Sequence, residues 1–252
     1  QSLRRAIPVD LYDAAHSSQL AFLLSIALVL DRSERIVERQ FSLLKEQLGV
    51  ERTQMIRRFY DQLAATKGEY RLPLLEILFP ALKMRPAPEL NYLVELTTKL
   101  IEVDGEIELY EFCFYRIMIS SLNQAINPTG KDQPRRRRSE LRSSAVDLLR
   151  IIADYGHDAD SERIAAFENG AKTLGAWAHG AQFQSVRENT VAKLNRSLDI
   201  LLGLNSKGQE ALLRAVSATA AYDGQLSIAE AELIRAVCAT LNYPLPPILV
   251  HR

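Results

Sequence analysis

The sequence predicts an all-α fold, and three observations carry that prediction. Apolar residues recur with a period of 3.6 through nearly every segment, and no stretch sustains the alternation of a strand. Hydrophobic residues make up 47% of the 252 and charged residues 25%, the balance of a chain that buries a core. A helical motif also recurs at a fixed offset of 119 residues. Lys plus Arg is 31 and Asp plus Glu is 31, so the net charge is zero. That balance excludes a chain-wide basic footprint for nucleic acid, and the apolar content excludes a disordered chain. Two cysteines, Cys113 and Cys238, exclude a disulfide-dense secreted scaffold and fit a reducing compartment.

The opening Gln1-Ser2-Leu3-Arg4-Arg5 reads as the cut edge of a longer protein rather than a signal peptide. Asp10 is an expected N-cap for a helix running to about Leu30. Its run from Leu20 to Leu30 is too short for the roughly 20 residues of a membrane span, so it is read as a core helix. Asp31 or Ser33 should start the next helix, with Ile36, Val37, Phe41, Leu44 and Leu48 inward and Gly49 as its stop. Met55, Ile56, Phe59 and Leu63 mark a third. Leu74, Leu75, Leu78 and Leu82 mark a fourth, with Pro73 in its first turn and Pro80 expected to bend it. Leu90 to Val103 and Ile107 to Leu122 complete an N-terminal helical unit, residues 1–126. Residues 127–138 read as a basic linker, opened by Asn127-Pro128-Thr129-Gly130. The C-terminal unit, 139–252, has helices expected over Ser139 to Tyr155, Ser161 to Leu174, Ser185 to Leu204, Lys207 to Ala221 and Ser227 to Leu241. Trp177 to Gln184 is a second, weaker break.

Leu93 to Asn123 aligns with Leu212 to Asn242 at the offset of 119. Its centre is Asp-Gly-x-apolar-x-x-x-Glu: Asp104-Gly105 with Ile107 and Glu111, then Asp223-Gly224 with Leu226 and Glu230. The word Ser-Glu-Arg-Ile also occurs in each half, at Ser33 and at Ser161. The repeated core looks like the second half of a calcium-binding EF-hand loop, which makes Asp104, Glu111, Asp223 and Glu230 the candidate metal ligands. The first half of the loop does not follow the pattern. Leu100 and Glu102 in one copy, and Thr219 and Ala221 in the other, supply too few oxygens for a hard cation. The favoured reading is therefore a structural helix-turn-helix. Gly ends one helix, and Ser227-x-x-Glu230 forms a capping box for the next.

That motif, followed by an apolar helix, resembles the TerB-like domains of bacterial proteins. Arg71 to Leu82, the words Leu233 to Cys238 and Leu241 to Leu249, and the opening Leu3 to Pro8 with Ala14-Ala15-His16 resemble a more specific family. They look like the region C-terminal to the catalytic domain in bacterial HtpX-type, membrane-anchored zinc metallopeptidases. The resemblance implies two tandem helical bundles around the duplicated unit and a cytoplasmic place at the membrane through a parent protein. It brings no catalytic residue and no cofactor to this segment, because the His-Glu-x-x-His motif is absent. Any zinc belongs to the suspected parent's peptidase domain. His16, His157, His179 and His251 include no i, i+4 pair.

Other motifs were weighed on their chemistry. Asp154, His157, Asp158, Asp160 and Glu162 surround one imidazole and could hold a divalent metal, or simply end one helix at Gly156 and cap the next. The loop reading is preferred. Cys113 and Cys238 read as buried small hydrophobes. Gly170-Ala171-Lys172-Thr173 lacks the glycine spacing of a phosphate loop. Trp177 and His179 read as a packed turn before a ligand groove. Arg135-Arg136-Arg137-Arg138 is the dense charge run and the candidate interaction site. It reads as a solvated linker, as a contact for an anionic membrane, or as a docking contact for an acidic protein. Nucleic acid is disfavoured, because no aromatic residue interleaves the run. The expected function is a non-catalytic regulatory or protein-interaction region, its partner another protein or its own peptidase domain. The alternative is an ion-responsive, divalent-metal helical module of the TerB type.

Overall fold

The computed structural model describes residues 7–66, 71–103, 109–127, 136–188 and 190–244. Every regular element among them is helical. The chain divides into two compact units, Gln1–Ile107 with Ser121–Thr129, and Glu108–Ser120 with Gly130–Arg252. The expected linker 127–138 falls mostly on 128–135, outside the described residues, as do Asp104, Gly105 and Ile107.

The expected helix from Asp10 to Leu30 is two helices, α1 (Val9–His16) and α2 (Ser18–Val29). Ser17 divides them. Its backbone is extended, its N–H closes α1 on Ala14 O, and its Oγ accepts from Leu20 N at 3.4 Å. The hydroxyl offers the backbone a partner outside the helix ladder, so the periodicity runs on while the helix does not. Asp10 lies in the first turn of α1, and Pro8 holds the N-cap position.

Helix α2 is apolar on all sides and packs against α1, α4, α5 and α6 of its unit. The later helices of the unit are α3 (Glu34–Leu48), which packs on α4, then α4 (Val50–Ala65), α5 (Arg71–Leu82) and α6 (Ala87–Ile101). Gly49 separates α3 from α4 at φ 82 with nothing near a would-be Cβ, so conformation alone asks for glycine there. Pro73 lies in the first turn of α5 and Pro80 within it. Two buried polar side chains serve the loose backbone ends around this core. Gln40 accepts from Asp31 N at 2.9 Å and donates to Leu100 O at 2.9 Å. Arg71 donates to Leu30 O at 3.2 Å. Each satisfies a helix-terminal or loop group that water cannot reach.

In the second unit α8 (Arg138–Gly156) is central, touching α9 (Asp160–Leu174), α10 (Thr190–Leu201), α11 (Ser206–Ala220) and α12 (Ile228–Leu241). Helix α7 (Leu109–Ile126) contributes its first twelve residues to this unit. Arg116 explains that allegiance. Its guanidinium donates to Asn195 Oδ1 at 2.9 Å, Asp199 Oδ1 at 2.6 Å and Thr240 Oγ1 at 3.2 Å. A helix was expected from Ser185, but α10 starts at Thr190, and Asp154 holds Ser185 and Val186 in an irregular segment before it. Its Oδ2 accepts from Ser185 Oγ and from Val186 N, each at 2.7 Å.

The helices around the two Asp-Gly turns keep the sequence offset. Ala87 and Ser206, Ile101 and Ala220, and Leu109 and Ile228 are each 119 apart. The ends diverge. Asn242 leaves α12 in the left-handed region at φ 51, while its match Asn123 lies inside α7.

Candidate functional site

Two motifs that are separate in the sequence meet in the second unit. Gly156 is the last residue of α8 and His157 its C-cap, with extended backbone. Asp223-Gly224 turns the chain between α11 and α12, with Gly224 at φ 76. Ser227 then caps α12. Its N–H and Oγ–H both donate to Glu230 Oε2 at 2.8 Å, and Glu230 N donates back to Ser227 Oγ at 3.2 Å. The expected capping box is present.

The box uses one carboxylate oxygen and leaves the other. Glu230 Oε1 has no hydrogen-bond partner, and it lies 3.9 Å from His157 Nε2, which has none either. Both residues are buried, His157 at 5% exposure and Glu230 at 1%. On the other ring nitrogen, His157 Nδ1 lies 4.0 Å from Asp223 Oδ2, and the half-exposed Asp223 uses Oδ1 to accept from Gln225 N at 2.9 Å. The Tyr222 ring meets the imidazole edge-on at 6.1 Å. Burial pushes the Glu230 carboxyl above the usual carboxylate range, while the Ser227 bonds and the His157 charge pull the other way.

The acidic residues around His157 do not gather about the imidazole, and the helix ends at Gly156 as the preferred loop reading has it. Asp154 is fully buried and turned to Ser185, Val186, Arg163 and Arg187, while Asp158, Asp160 and Glu162 face solvent. Arg163 ties this stretch, donating to His157 O at 2.9 Å, Asp158 O at 2.6 Å and Asp160 Oδ1 at 2.8 Å. Ala159, not Asp158 or Asp160, takes the N-cap position of α9. Among the described residues no group of three His, Cys, Asp or Glu is placed to hold a metal ion. Of the four sequence candidates, Asp223 and Glu230 come together at His157. Glu111 is half-buried at the start of α7, and Asp104 lies outside the described residues.

Gly156 ends α8 as expected, but without a positive φ. A Cβ there would lie 2.0 Å from Glu230 Oε1, so glycine is required by the side chain laid across it. The cysteines are buried as expected. Burial first, and the charge of Glu232 second, push the Cys113 thiol far up. Burial pushes the Cys238 thiol up to about 12. Neither forms a thiolate readily.

Of the arginine run, Arg136, Arg137 and Arg138 are exposed at the start of α8 and make no ion pair among the described residues, and Arg135 lies outside them. Arg137 N donates to Glu140 Oε2 at 3.0 Å, so the backbone here is capped while the guanidinium groups stay in solvent.

The first unit holds a groove of about 560 Å³ that periodicity did not announce. Leu20, Leu23, Arg85, Pro88 and Tyr92 are among the residues that line it. Arg85 stacks over Phe22 at 5.0 Å, donates to Ser18 O at 2.8 Å and pairs with Glu89. The Arg85–Glu89 spacing of four was the available signal. Among the described residues no helix is long and apolar enough to cross a membrane. Comparison with protein-family models, with curated proteins and with solved structures returns no match.

Proposed function

We propose that the chain is a non-catalytic regulatory or protein-interaction region, serving the peptidase domain of a membrane-anchored zinc metallopeptidase. The observation that carries the interaction role is the exposed set Arg136, Arg137 and Arg138, which makes no ion pair among the described residues. Three guanidinium groups in solvent repel one another, and the positive end of α8 adds to their field. An acidic surface outside the chain relieves both. The paired helix bounds at the offset of 119 support a TerB-like duplicated unit. The parentage rests on the resemblance in the sequence. Its test is the gene upstream of Gln1: a His-Glu-x-x-His helix flanked by apolar spans is expected there, and its absence would remove the peptidase from the reading. For the run itself, sedimentation with neutral and anionic vesicles tells a membrane contact from a protein one. Each basic residue near an anionic leaflet contributes about 1 kcal/mol. Salt-sensitive binding to anionic vesicles places the run at the membrane. Equal, negligible binding leaves an acidic protein surface, which cross-linking within the parent chain would identify.

A second reading, an ion-responsive TerB-type module for a divalent metal, draws on the Asp-Gly turn itself, where Asp223 approaches His157, although the described side chains there are not placed as a set of metal ligands. Calcium and zinc titrations separate the two readings. A melting temperature unmoved by either ion favours the first.

A further inference from the structure

Helix α2 is apolar on all sides, and a helix of that kind is ordinarily buried all round. Helices α1, α4, α5 and α6 cover most of it. One face stays open beside α6, and the groove of about 560 Å³ lies there. Gln19, Leu20, Phe22 and Leu23 line it from α2, a spacing of i, i+1, i+3 and i+4 that marks a single helix face. Pro88, Glu89 and Tyr92 line it from α6 in the same manner. Leu20 and Leu23 are only half-buried.

Three charged residues line the groove, Arg52, Arg85 and Glu89. Glu89 pairs with Arg85, whose guanidinium also stacks over Phe22 and donates to Ser18 O. Arg52 is left over. It is exposed in the first turn of α4 and makes no ion pair among the described residues. Glu51, next to it in the chain, is outside the lining. The groove therefore carries one uncompensated positive charge beside an apolar floor.

We propose that this groove docks an amphipathic helix of a partner protein, with aliphatic side chains laid on Leu20, Leu23 and Tyr92 and a carboxylate facing Arg52. A third helix completes the packing that α2 and α6 leave open, and its anchors repeat at i, i+3, i+4 and i+7. The apolar surface continues past what a small ligand covers. Met84, next to Arg85, is 80% exposed, and Val50, two residues before Arg52, is 51% exposed. The sign of the partner's charge follows from Arg52, because a like charge placed there is repelled. The groove belongs to the first unit and the arginine run to the second, so the outcome for one surface does not decide the other.

Methyl NMR of the full chain, observed at Leu20 and Leu23, reads occupancy of the groove and not of the arginine run. Two synthetic helices of about four turns serve as probes, with leucines at i, i+3, i+4 and i+7 flanked by glutamates in one and by lysines in the other. The glutamate helix should shift these methyls saturably, with a Kd below about 1 mM, and bind roughly tenfold more tightly than the lysine helix. Added salt should narrow that gap. Arg52→Glu, at an exposed position outside the core, should reverse the order of the two helices. Leu23→Ala should weaken both alike, with a melting curve to verify its fold. Equal binding of the two helices, or an order that Arg52→Glu does not reverse, would overturn the proposal. So would the absence of any shift with either helix, and shifts produced by anionic vesicles alone would give the groove to a membrane surface instead.

Discussion

Gly156 and Glu230 compete for one volume. A Cβ at position 156 would sit 2.0 Å from Glu230 Oε1 and 2.8 Å from its Cγ. The side chain cannot swing aside freely, because Oε2 is bound twice by Ser227. In an ordinary helix glycine to alanine is worth up to about 1 kcal/mol in favour of folding. Here Gly156→Ala should instead cost about 1–3 kcal/mol, as overpacking does. In a Glu230→Ala background the same change should turn neutral or favourable. Urea denaturation of the four proteins measures this coupling, and additive effects would show that the two residues do not compete.

Gly170 and Thr219 stand in a similar relation between α9 and α11. A Cβ at 170 would lie 1.9 Å from Thr219 Oγ1 and 3.1 Å from Ala215 O. The second contact is backbone, so side-chain movement relieves only part of the clash. Gly170→Ala should destabilise by about 1–3 kcal/mol, and Thr219→Ala should restore only part of that in thermal melts.

Asp154 is a buried carboxylate that holds an irregular segment in place. Replacing it with alanine leaves Val186 N without its acceptor and Arg163 and Arg187 without their shared anion. The expected cost is about 3–5 kcal/mol, as for a broken buried pair. Limited trypsin digestion should show new cleavage at Arg187 in Asp154→Ala, and an unchanged digest would show that α10 is positioned by other contacts.

Ser227 supports both its helix and the buried Glu230. Ser227→Ala should cost about 1 kcal/mol for the lost cap, and more for the carboxylate it leaves unbonded. Ser227→Asp keeps a capping oxygen but places a second negative charge against Glu230, so it should be no better than alanine at neutral pH. Melting temperatures at pH 5 and pH 8 would check both, with the aspartate variant losing more on the alkaline side.

Calcium in the millimolar range should leave the melting temperature unmoved. Binding to the native state at a hundred times its dissociation constant would stabilise by about 2.7 kcal/mol, which a thermal scan resolves. At the second turn Asp223 Oδ1 is already engaged by Gln225 N and Glu230 Oε2 by Ser227. A rise lost in Asp223→Ala would reverse this expectation.

The helical class, most helix positions, Gly49 as a stop and the Ser227–Glu230 box follow from periodicity and capping chemistry, because those signals span four residues or fewer. The repeat offset is legible for the same reason. Local signals do not reach the places where a distant partner decides. Asp154 holds Ser185 and Val186 out of a helix whose pattern already includes them. Arg116 draws the first two thirds of α7 to residues some eighty to 124 positions away.

By itself, then, the sequence determined an all-α chain, two buried cysteines, an exposed arginine run and a capped Asp-Gly turn. Each depends on side chains near one another along the chain or on hydrophobicity alone. Only the tertiary structure decided that Gly156 is there for Glu230 rather than for its own backbone. It also decided that the acidic residues around His157 disperse while Asp223 and Glu230 come to it. Residues 157 and 230 become neighbours only when α8 and α12 pack, and burial there leaves one polar atom of each without a hydrogen-bond partner.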